Sequence, residues 1–186
     1  MRVISGTLKG RSFNFIRNTN TRPLKDIVKE NIFNILNHSK LIKTYVKNAN
    51  VLDLYSGIGS FGIECISRGA NKVTFVEYDK NASEILKNNL KQLSINNKTA
   101  VLKKKIENFL SSKIKEKFNI FFLDPPFSDL DFLKNLSLIK ENNIFHKDHI
   151  IIIHREKKSK DNYKDLISVI DTKQYGRSKI IFGVFI

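Results

Sequence analysis

Residues 53 to 62 read Asp53-Leu54-Tyr55-Ser56-Gly57-Ile58-Gly59-Ser60-Phe61-Gly62 and follow a short apolar run that begins at Val51. An apolar run, a G-x-G-x-x-G pattern and helical spacing, in that order, predict the first turn of a nucleotide-binding βα unit. Glycines allow a sharp turn and let a ligand approach the backbone without meeting a Cβ atom. Taken alone, the stretch is also compatible with a tight strand–helix turn that binds nothing.

Short apolar runs alternate with amphipathic segments through the rest of the chain. The runs that predict strands are Val51–Leu54, Val73–Glu77, Ala100–Leu102, Ile120–Leu123 and Ile150–Ile153. This alternation predicts an α/β, Rossmann-like fold with a mostly parallel sheet covered on both faces. The tail carries two runs with no helix between them, Leu166–Ile170 and Lys179–Ile186, which predict an antiparallel C-terminal hairpin.

The N-terminal segment differs from the main body. Residues 1–17 alternate apolar and polar side chains around the turn-prone residues 6–10, which predicts a basic β-hairpin. After Arg22-Pro23 the spacing becomes helical as far as His38. We therefore predict an N-terminal extension over residues 1–23 and a main domain over residues 24–186.

Positive charge dominates the composition. The 33 Lys and Arg against 18 Asp and Glu give a formal charge of +15, which favours a polyanionic partner. The alternative is an AT-rich genome that enriches Lys, Asn and Ile everywhere. Five basic residues at the N-terminus are expected to contact RNA phosphates, or else only to solvate the hairpin: Arg2, Lys9, Arg11, Arg17 and Arg22.

Several compartments and chemistries are disfavoured. The apolar runs are strand-sized, which argues against a membrane protein, and Ser5 and Lys9 interrupt the N-terminus before a signal peptide could form. The single Cys65 suits a reducing compartment, so we expect a cytoplasmic protein. The histidines lack metal-ligand spacing, and no metal is expected.

The second strand is predicted to end in an acid, Glu77, 20 residues after Gly57. A carboxylate in this place typically accepts hydrogen bonds from ribose hydroxyls. NAD and S-adenosylmethionine both fit, but they differ in charge. Asp53, next to the turn, would repel the pyrophosphate of NAD and can hold the ammonium group of S-adenosylmethionine. The methyl donor is the better fit.

A second motif follows the strand at Ile120–Leu123: Asp124-Pro125-Pro126-Phe127. The prolines fix the backbone and have no N–H, so the turn offers carbonyl oxygens and a carboxylate. Asp124 and the Pro125 carbonyl could accept both protons of a base amine, while Phe127 stacks on the base. The alternative is a rigid turn that ends a strand, with Phe127 in the core.

With both motifs placed, the chain resembles class I methyltransferases that carry a D-P-P-F/Y motif, specifically the RsmD-type family of 16S ribosomal RNA guanine-N2 methyltransferases. The resemblance covers essentially the whole chain, including Arg2-Val3-Ile4-Ser5-Gly6, Lys9-Gly10-Arg11, Thr21-Arg22-Pro23, Val51–Gly62, Ser67-Arg68-Gly69-Ala70 and Val73–Glu77. It implies S-adenosylmethionine as cofactor and ribosomal RNA as partner, within a small ribosomal subunit or an assembly intermediate. A monomer is expected.

The resemblance also implies site residues and exposes departures. Asp53, Gly57, Gly59 and Glu77 would line the cofactor site, and Asp124, Pro125, Pro126 and Phe127 the catalytic site. Tyr55-Ser56 replaces the commoner Phe-Ala, and Tyr55 is included in the cofactor site. Lys104-Lys105-Ile106 follows the third strand, where an acid or amide often reaches the adenine amino group, so adenine recognition would fall to backbone groups near Ile106 or to a residue that the sequence does not identify.

Three other functions remain open from the sequence. An N6-adenine nucleic-acid methyltransferase could use the same acceptor pocket, although the chain lacks a target-recognition insertion. An NAD-dependent oxidoreductase would leave Asp124–Phe127 without a role. A non-catalytic RNA-binding or ribosome-assembly protein is favoured by charge alone, and retention of both Asp53 and Asp124 argues against it.

Overall fold

The computed structural model describes residues 1–15, 24–129 and 131–186. Its strands are β1 (Asn50–Leu54), β2 (Lys72–Val76), β3 (Thr99–Leu102), β4 (Phe118–Leu123), β5 (Phe145–Glu156), β6 (Ile167–Tyr175) and β7 (Ser178–Phe185). Its helices are α1 (Asp26–His38), α2 (Ser60–Ser67), α3 (Lys80–Gln92), α4 (Ile106–Leu110) and α5 (Phe132–Glu141).

The described strands form one sheet in the order β3-β2-β1-β4-β5-β7-β6. Strands β1 to β5 pair in parallel, and β7 lies antiparallel between β5 and β6. Apolar side chains on both faces of the sheet are buried, as expected for a sheet covered by helices. The predicted mostly parallel sheet with an antiparallel C-terminal hairpin is confirmed.

Strand ends differ from the prediction at several places, and two of these differences bear on the site. β2 ends at Val76, so Glu77 lies just past the strand, where its side chain can bend toward the glycine turn. β5 is three times the predicted length, since it begins at Phe145, which pairs with Phe118 of β4, and it continues beyond the apolar run to Glu156, where β7 pairs with it. Polar residues such as His154 and Arg155 therefore continue the strand, which no hydrophobic pattern reveals.

The N-terminal hairpin is short. Its two arms are joined by the Arg2–Ser12 bridge and by backbone hydrogen bonds, among them Val3 N–H to the Arg11 carbonyl and Phe13 N–H to the Met1 carbonyl, each at 2.9 Å. The N–H groups of Ile4 and Ser5 donate to the Glu64 carboxylate at 2.8 and 2.9 Å. The division at residue 23 stays a prediction, since residues 16–23 lie outside the described part of the chain.

Gly6 explains how closely the hairpin approaches α2. Its φ is +83°, and a Cβ atom there would lie 1.9 Å from the carbonyl oxygen of Ser67. Thr7 N–H donates to that same oxygen at 2.8 Å. Only glycine fits this contact, which fixes the hairpin against the last turn of α2.

Candidate active site

The strand order reverses direction between β1 and β4, which is where open α/β sheets bind their ligands. A cavity of about 880 Å³ opens there, at the carboxyl ends of β1, β2 and β4. Phe61 and Phe122 line it and stack on each other with ring centroids 4.0 Å apart. Both predicted motifs border this one cavity.

The glycine turn is held by the acid that follows β2. Gly57 N–H donates to Glu77 Oε2 and Asp79 N–H donates to Glu77 Oε1, each at 2.7 Å. A Cβ atom on Gly57 would meet nothing within 4 Å, whereas one on Gly59 would lie 2.4 Å from Leu86 Cδ1. Gly57 therefore faces the open cavity, and Gly59 allows the turn to pack against α3.

Asp53 lies beneath this turn and is 1% exposed. Its Oδ2 accepts a hydrogen bond from Gly62 N–H at 3.1 Å. Burial raises the pKa of Asp53 well above its usual range, and the charges of Asp124 and Glu77 raise it further, although the Gly62 hydrogen bond opposes this. A cation bound in the cavity would stabilise the ionised carboxylate.

Tyr55 and Ile106 also line the cavity. The Tyr55 hydroxyl accepts a hydrogen bond from Asn135 Nδ2 at 2.9 Å, and burial raises its pKa. Ile106 begins α4. The sequence interpretation missed Tyr78, which is 66% exposed, and Lys105, whose ammonium lies 5.5 Å from the Tyr78 ring centroid. The one signal for Tyr78 is its place directly after Glu77.

The carboxylate of the proline turn is fixed by β5. Asp124 Oδ1 lies 2.8 Å from His154 Nδ1, and His154 is 7% exposed. The other ring nitrogen, Nε2, is buried without a partner among the described residues. A neutral imidazole whose Nδ1–H donates to Asp124 avoids burying an unpaired N–H at Nε2. In this arrangement Asp124 Oδ2 stays free toward the cavity.

Arg155, on the same strand, fixes the backbone of the turn. Its Nη1 donates to the Pro126 carbonyl at 3.1 Å, and its Nη2 to the Phe127 carbonyl at 3.3 Å. The guanidinium also pairs with both oxygens of Asp161 at 3.1 Å. Burial opposes the effect, but these contacts lower the pKa of Asp161. Sequence reasoning missed this pair, because only tertiary structure brings it to the turn.

Three of the predicted RNA-contacting residues, Arg2, Lys9 and Arg11, belong to the described part of the chain, and none of them lines the cavity. Arg2 and Lys9 are exposed on the hairpin. Arg11 is exposed but donates to the Gln92 carbonyl at 3.0 Å and to the Leu93 carbonyl at 3.5 Å, so it also fixes the hairpin to the end of α3. Arg17 and Arg22 lie outside the described residues.

Residues 1–15, 24–129 and 131–186 contain no group of three or more His, Cys, Asp or Glu side chains arranged to hold a metal ion. Over the same ranges, no helix is long and apolar enough to cross a membrane.

The sheet order and the two turns at its switch point define a class I methyltransferase fold. The chain belongs to the family described as Conserved hypothetical protein 95, whose model matches residues 1–184. The resemblance to the RsmD-type family is thereby confirmed.

Relatives and a solved structure agree with this assignment. YlbH of Bacillus subtilis (strain 168), assigned as an rRNA methyltransferase, is 37% identical over 159 residues, covering 84% of this chain and 83% of that protein. Ribosomal RNA small subunit methyltransferase D of Haemophilus influenzae is 35% identical over 159 residues, or 84% and 79% of the two chains. The structure of Escherichia coli yhhF, assigned as a methyltransferase, matches with a TM-score of 0.82 at 27% identity, covering 98% and 96%.

Proposed function

We propose that this chain transfers the methyl group of S-adenosylmethionine to the N2 amine of a guanine in 16S ribosomal RNA. The observation that carries the proposal is the paired site at the switch point, with an acid-lined cavity beside a turn rich in acceptors. The names of the relatives supply the substrate class, ribosomal RNA of the small subunit. The resemblance supplies the choice of guanine N2.

The residues present fit the proposed cofactor. S-adenosylmethionine carries a sulfonium and an ammonium group, and the cavity is lined by carboxylates that include Asp53, Glu77 and Asp79. Glu77 already accepts two backbone hydrogen bonds, and its oxygens keep lone pairs for ribose hydroxyls. Asp53, Gly57, Gly59 and Tyr55 would surround the amino acid end. When bound, the cofactor supplies an electrophilic methyl group.

The proline turn would hold the accepting amine. Within the described residues, Arg155 takes the carbonyls of Pro126 and Phe127, while no hydrogen bond ends on the Pro125 carbonyl. That carbonyl and Asp124 Oδ2 are then the acceptors for the two amine protons. They aim the nitrogen lone pair at the methyl group, and Phe127 supports the flipped base by stacking.

The proton balance is simple. As the nitrogen lone pair forms its bond to the methyl carbon, the carbon–sulfur bond would break and its electron pair would stay on sulfur. The nitrogen becomes cationic, and the Asp124 carboxylate stabilises that charge. One proton then leaves the nitrogen for Asp124 or for water. His154, through its Nδ1–H, keeps Asp124 Oδ1 in place so that Oδ2 remains directed at the amine.

The decisive experiment combines the protein with labelled S-adenosylmethionine and unmodified small-subunit RNA, free and in assembled subunits. We expect labelled N2-methylguanosine after digestion to nucleosides. N6-methyladenosine instead would support the adenine alternative and overturn the choice of base. A protein that binds RNA but transfers no label to either substrate would support the non-catalytic alternative.

A further inference from the structure

The chain that follows β5 forms a basic segment next to the proline turn. Leu123 pairs with Ile153, so residues 154–156 of β5 extend alongside residues 124–127. The chain then continues into Lys157, Lys158, Ser159 and Lys160, of which the three lysines are exposed. This basic segment, residues 157–160, therefore lies at the carboxyl edge of the sheet.

Hydrogen bonds fix the basic segment to the proline turn. Arg155 joins the Pro126 and Phe127 carbonyls to Asp161, and Ser159 Oγ donates to Asp161 Oδ2 at 2.7 Å. Ser159 N–H donates to the Glu156 carbonyl at 3.0 Å. None of these contacts uses a lysine side chain. The three lysines therefore belong to a backbone segment that hydrogen bonds hold to the proline turn, which would receive the base.

A further cation comes from the β6–β7 turn. Lys157 N–H donates to the Arg177 carbonyl at 2.8 Å, which places the exposed Arg177 beside the segment. The two neighbouring acids are Glu156, which is half-buried, and Asp161, which is paired with Arg155. The surface presented by Lys157, Lys158, Lys160 and Arg177 is thus strongly positive.

The N-terminal hairpin has a different relation to the cavity. Its tip contacts Ser67, the last residue of α2, whereas the cavity is lined by Ser60 at the start of that helix. Eight helical residues span about 12 Å, so the tip is displaced toward the opposite edge of the sheet. The basic segment lies at the same edge of the sheet as the proline turn, whereas the hairpin tip does not.

We propose that Lys157, Lys158, Lys160 and Arg177 bind the phosphates of the RNA strand on either side of the target nucleotide. This inference rests on the proposed function, because a base in the cavity brings its flanking phosphates to the same edge. Phosphate contacts fix register and orientation, and they contribute affinity that depends on salt. Through Arg155 and Asp161, the same contacts align the strand with the base-holding turn.

The chain offers a matched control. Lys113, Lys115 and Lys117 are also three exposed lysines within five residues, but they precede β4 and so lie at the amino edge of the sheet. The test triple is Lys157→Gln, Lys158→Gln, Lys160→Gln, and the control triple is Lys113→Gln, Lys115→Gln, Lys117→Gln. Both lower the net charge by the same amount, so their difference reports position alone.

The measurement is the affinity for unmodified small-subunit RNA as a function of salt, without methyl donor. We expect the test triple to bind at least about tenfold more weakly and to flatten the log–log salt slope by about 2 units, and the control triple to resemble the parent. Methyl-donor affinity should be unchanged in both. Equal losses in the two triples, or no loss in the test triple, would overturn the inference.

The design separates this inference from the proposed function. Binding is measured without methyl donor, so the comparison of triples can be read whether or not methyl transfer occurs. Absence of transfer by the parent protein would overturn the proposed function. Absence of a difference between the triples would overturn only the inference that the basic segment binds RNA phosphates.

Discussion

The two turns that border the cavity have opposite polarity. The turn after β1 presents backbone N–H groups, and carboxylates hold it, since Gly57 donates to Glu77 and Gly62 donates to Asp53. The turn after β4 presents the carbonyl oxygens of Pro125, Pro126 and Phe127. An arginine holds that turn, because the guanidinium of Arg155 donates to two of its carbonyls.

The difference shows how one sheet edge can hold two unlike ligands. Backbone donors need acids to hold them, and those acids also suit a cationic cofactor. A turn that offers only carbonyl oxygens is held by a basic side chain, and the carbonyl oxygens that remain unbonded suit an amine. The first turn takes its supporting side chains from Asp53 of β1 and from Glu77, which directly follows β2, and the second takes Arg155 from β5. Substitutions at the turn after β1 should therefore lower cofactor affinity, and substitutions at the turn after β4 should lower the rate of methyl transfer.

The largest effect is expected at the turn after β4. Asp124→Ala should lower the single-turnover transfer rate by roughly a hundredfold or more, because the amine loses its charged acceptor. Cofactor affinity measured by calorimetry should stay close to that of the parent. Asp148→Ala, which removes an exposed acid of β5, serves as the control. A large loss of cofactor affinity in the Asp124 variant would contradict the separation of the two halves.

The second largest effect is expected at the turn after β1. Glu77→Ala should weaken cofactor binding by about 1 to 3 kcal/mol, since it removes charge-assisted hydrogen bonds. Glu84→Ala, an exposed acid on α3, should leave calorimetric affinity unchanged. Normal affinity in the Glu77 variant would remove this residue from the cofactor site.

A smaller effect should distinguish a positioning role for His154. His154→Leu should lower the transfer rate by about tenfold, because Asp124 loses one charge-assisted hydrogen bond. His154→Asn keeps an N–H donor near the Nδ1 position and should restore most of that rate. Cofactor affinity and the KM for RNA should be the same in both variants. Equal rates in the two variants would indicate that His154 only fills space.

The smallest effect concerns stability and pH. Because burial raises the pKa of Asp53 in the folded protein, folding favours its protonated form. That contribution is complete below the unfolded pKa and is lost as pH rises through the higher folded pKa. Asp53→Asn should therefore raise the Tm of the free protein at neutral pH by a few degrees and weaken cofactor binding. If the Tm of the Asp53→Asn variant is below that of the parent throughout the neutral range, ionised Asp53 stabilises the fold.

The sequence is informative for one half of the site and much less so for the other. Glycines and an acid at fixed spacing identify the first turn, because local backbone geometry requires them. The second turn is recognisable from Asp124–Phe127, but its supports are not. His154 and Arg155 directly follow an isoleucine run, and their roles depend on β7, which pairs with them from later in the chain.

Local patterns are also incomplete at the N-terminal hairpin. Alternating side chains predict two paired arms, and Val3 N–H does donate to the Arg11 carbonyl, but Ile4 and Ser5 donate to Glu64 instead of to the other arm. Arg11 is predicted to contact RNA or only to solvate the hairpin, but it also binds the carbonyls at the end of α3. In both cases the decisive partner is distant in sequence, so no short window contains the information.

The contact of Gly6 with the end of α2 has a consequence for the order of folding. Leu8 and Arg11 of the hairpin reach partners 59 and 82 residues further along the chain, in α2 and at the end of α3. During translation the hairpin is made before either helix exists, so it leaves the ribosome early and docks late. Its docking requires the finished β1–α2–β2–α3 unit. A proteolysis time course on nascent chains would therefore show residues 1–15 becoming protected only after α3 has emerged.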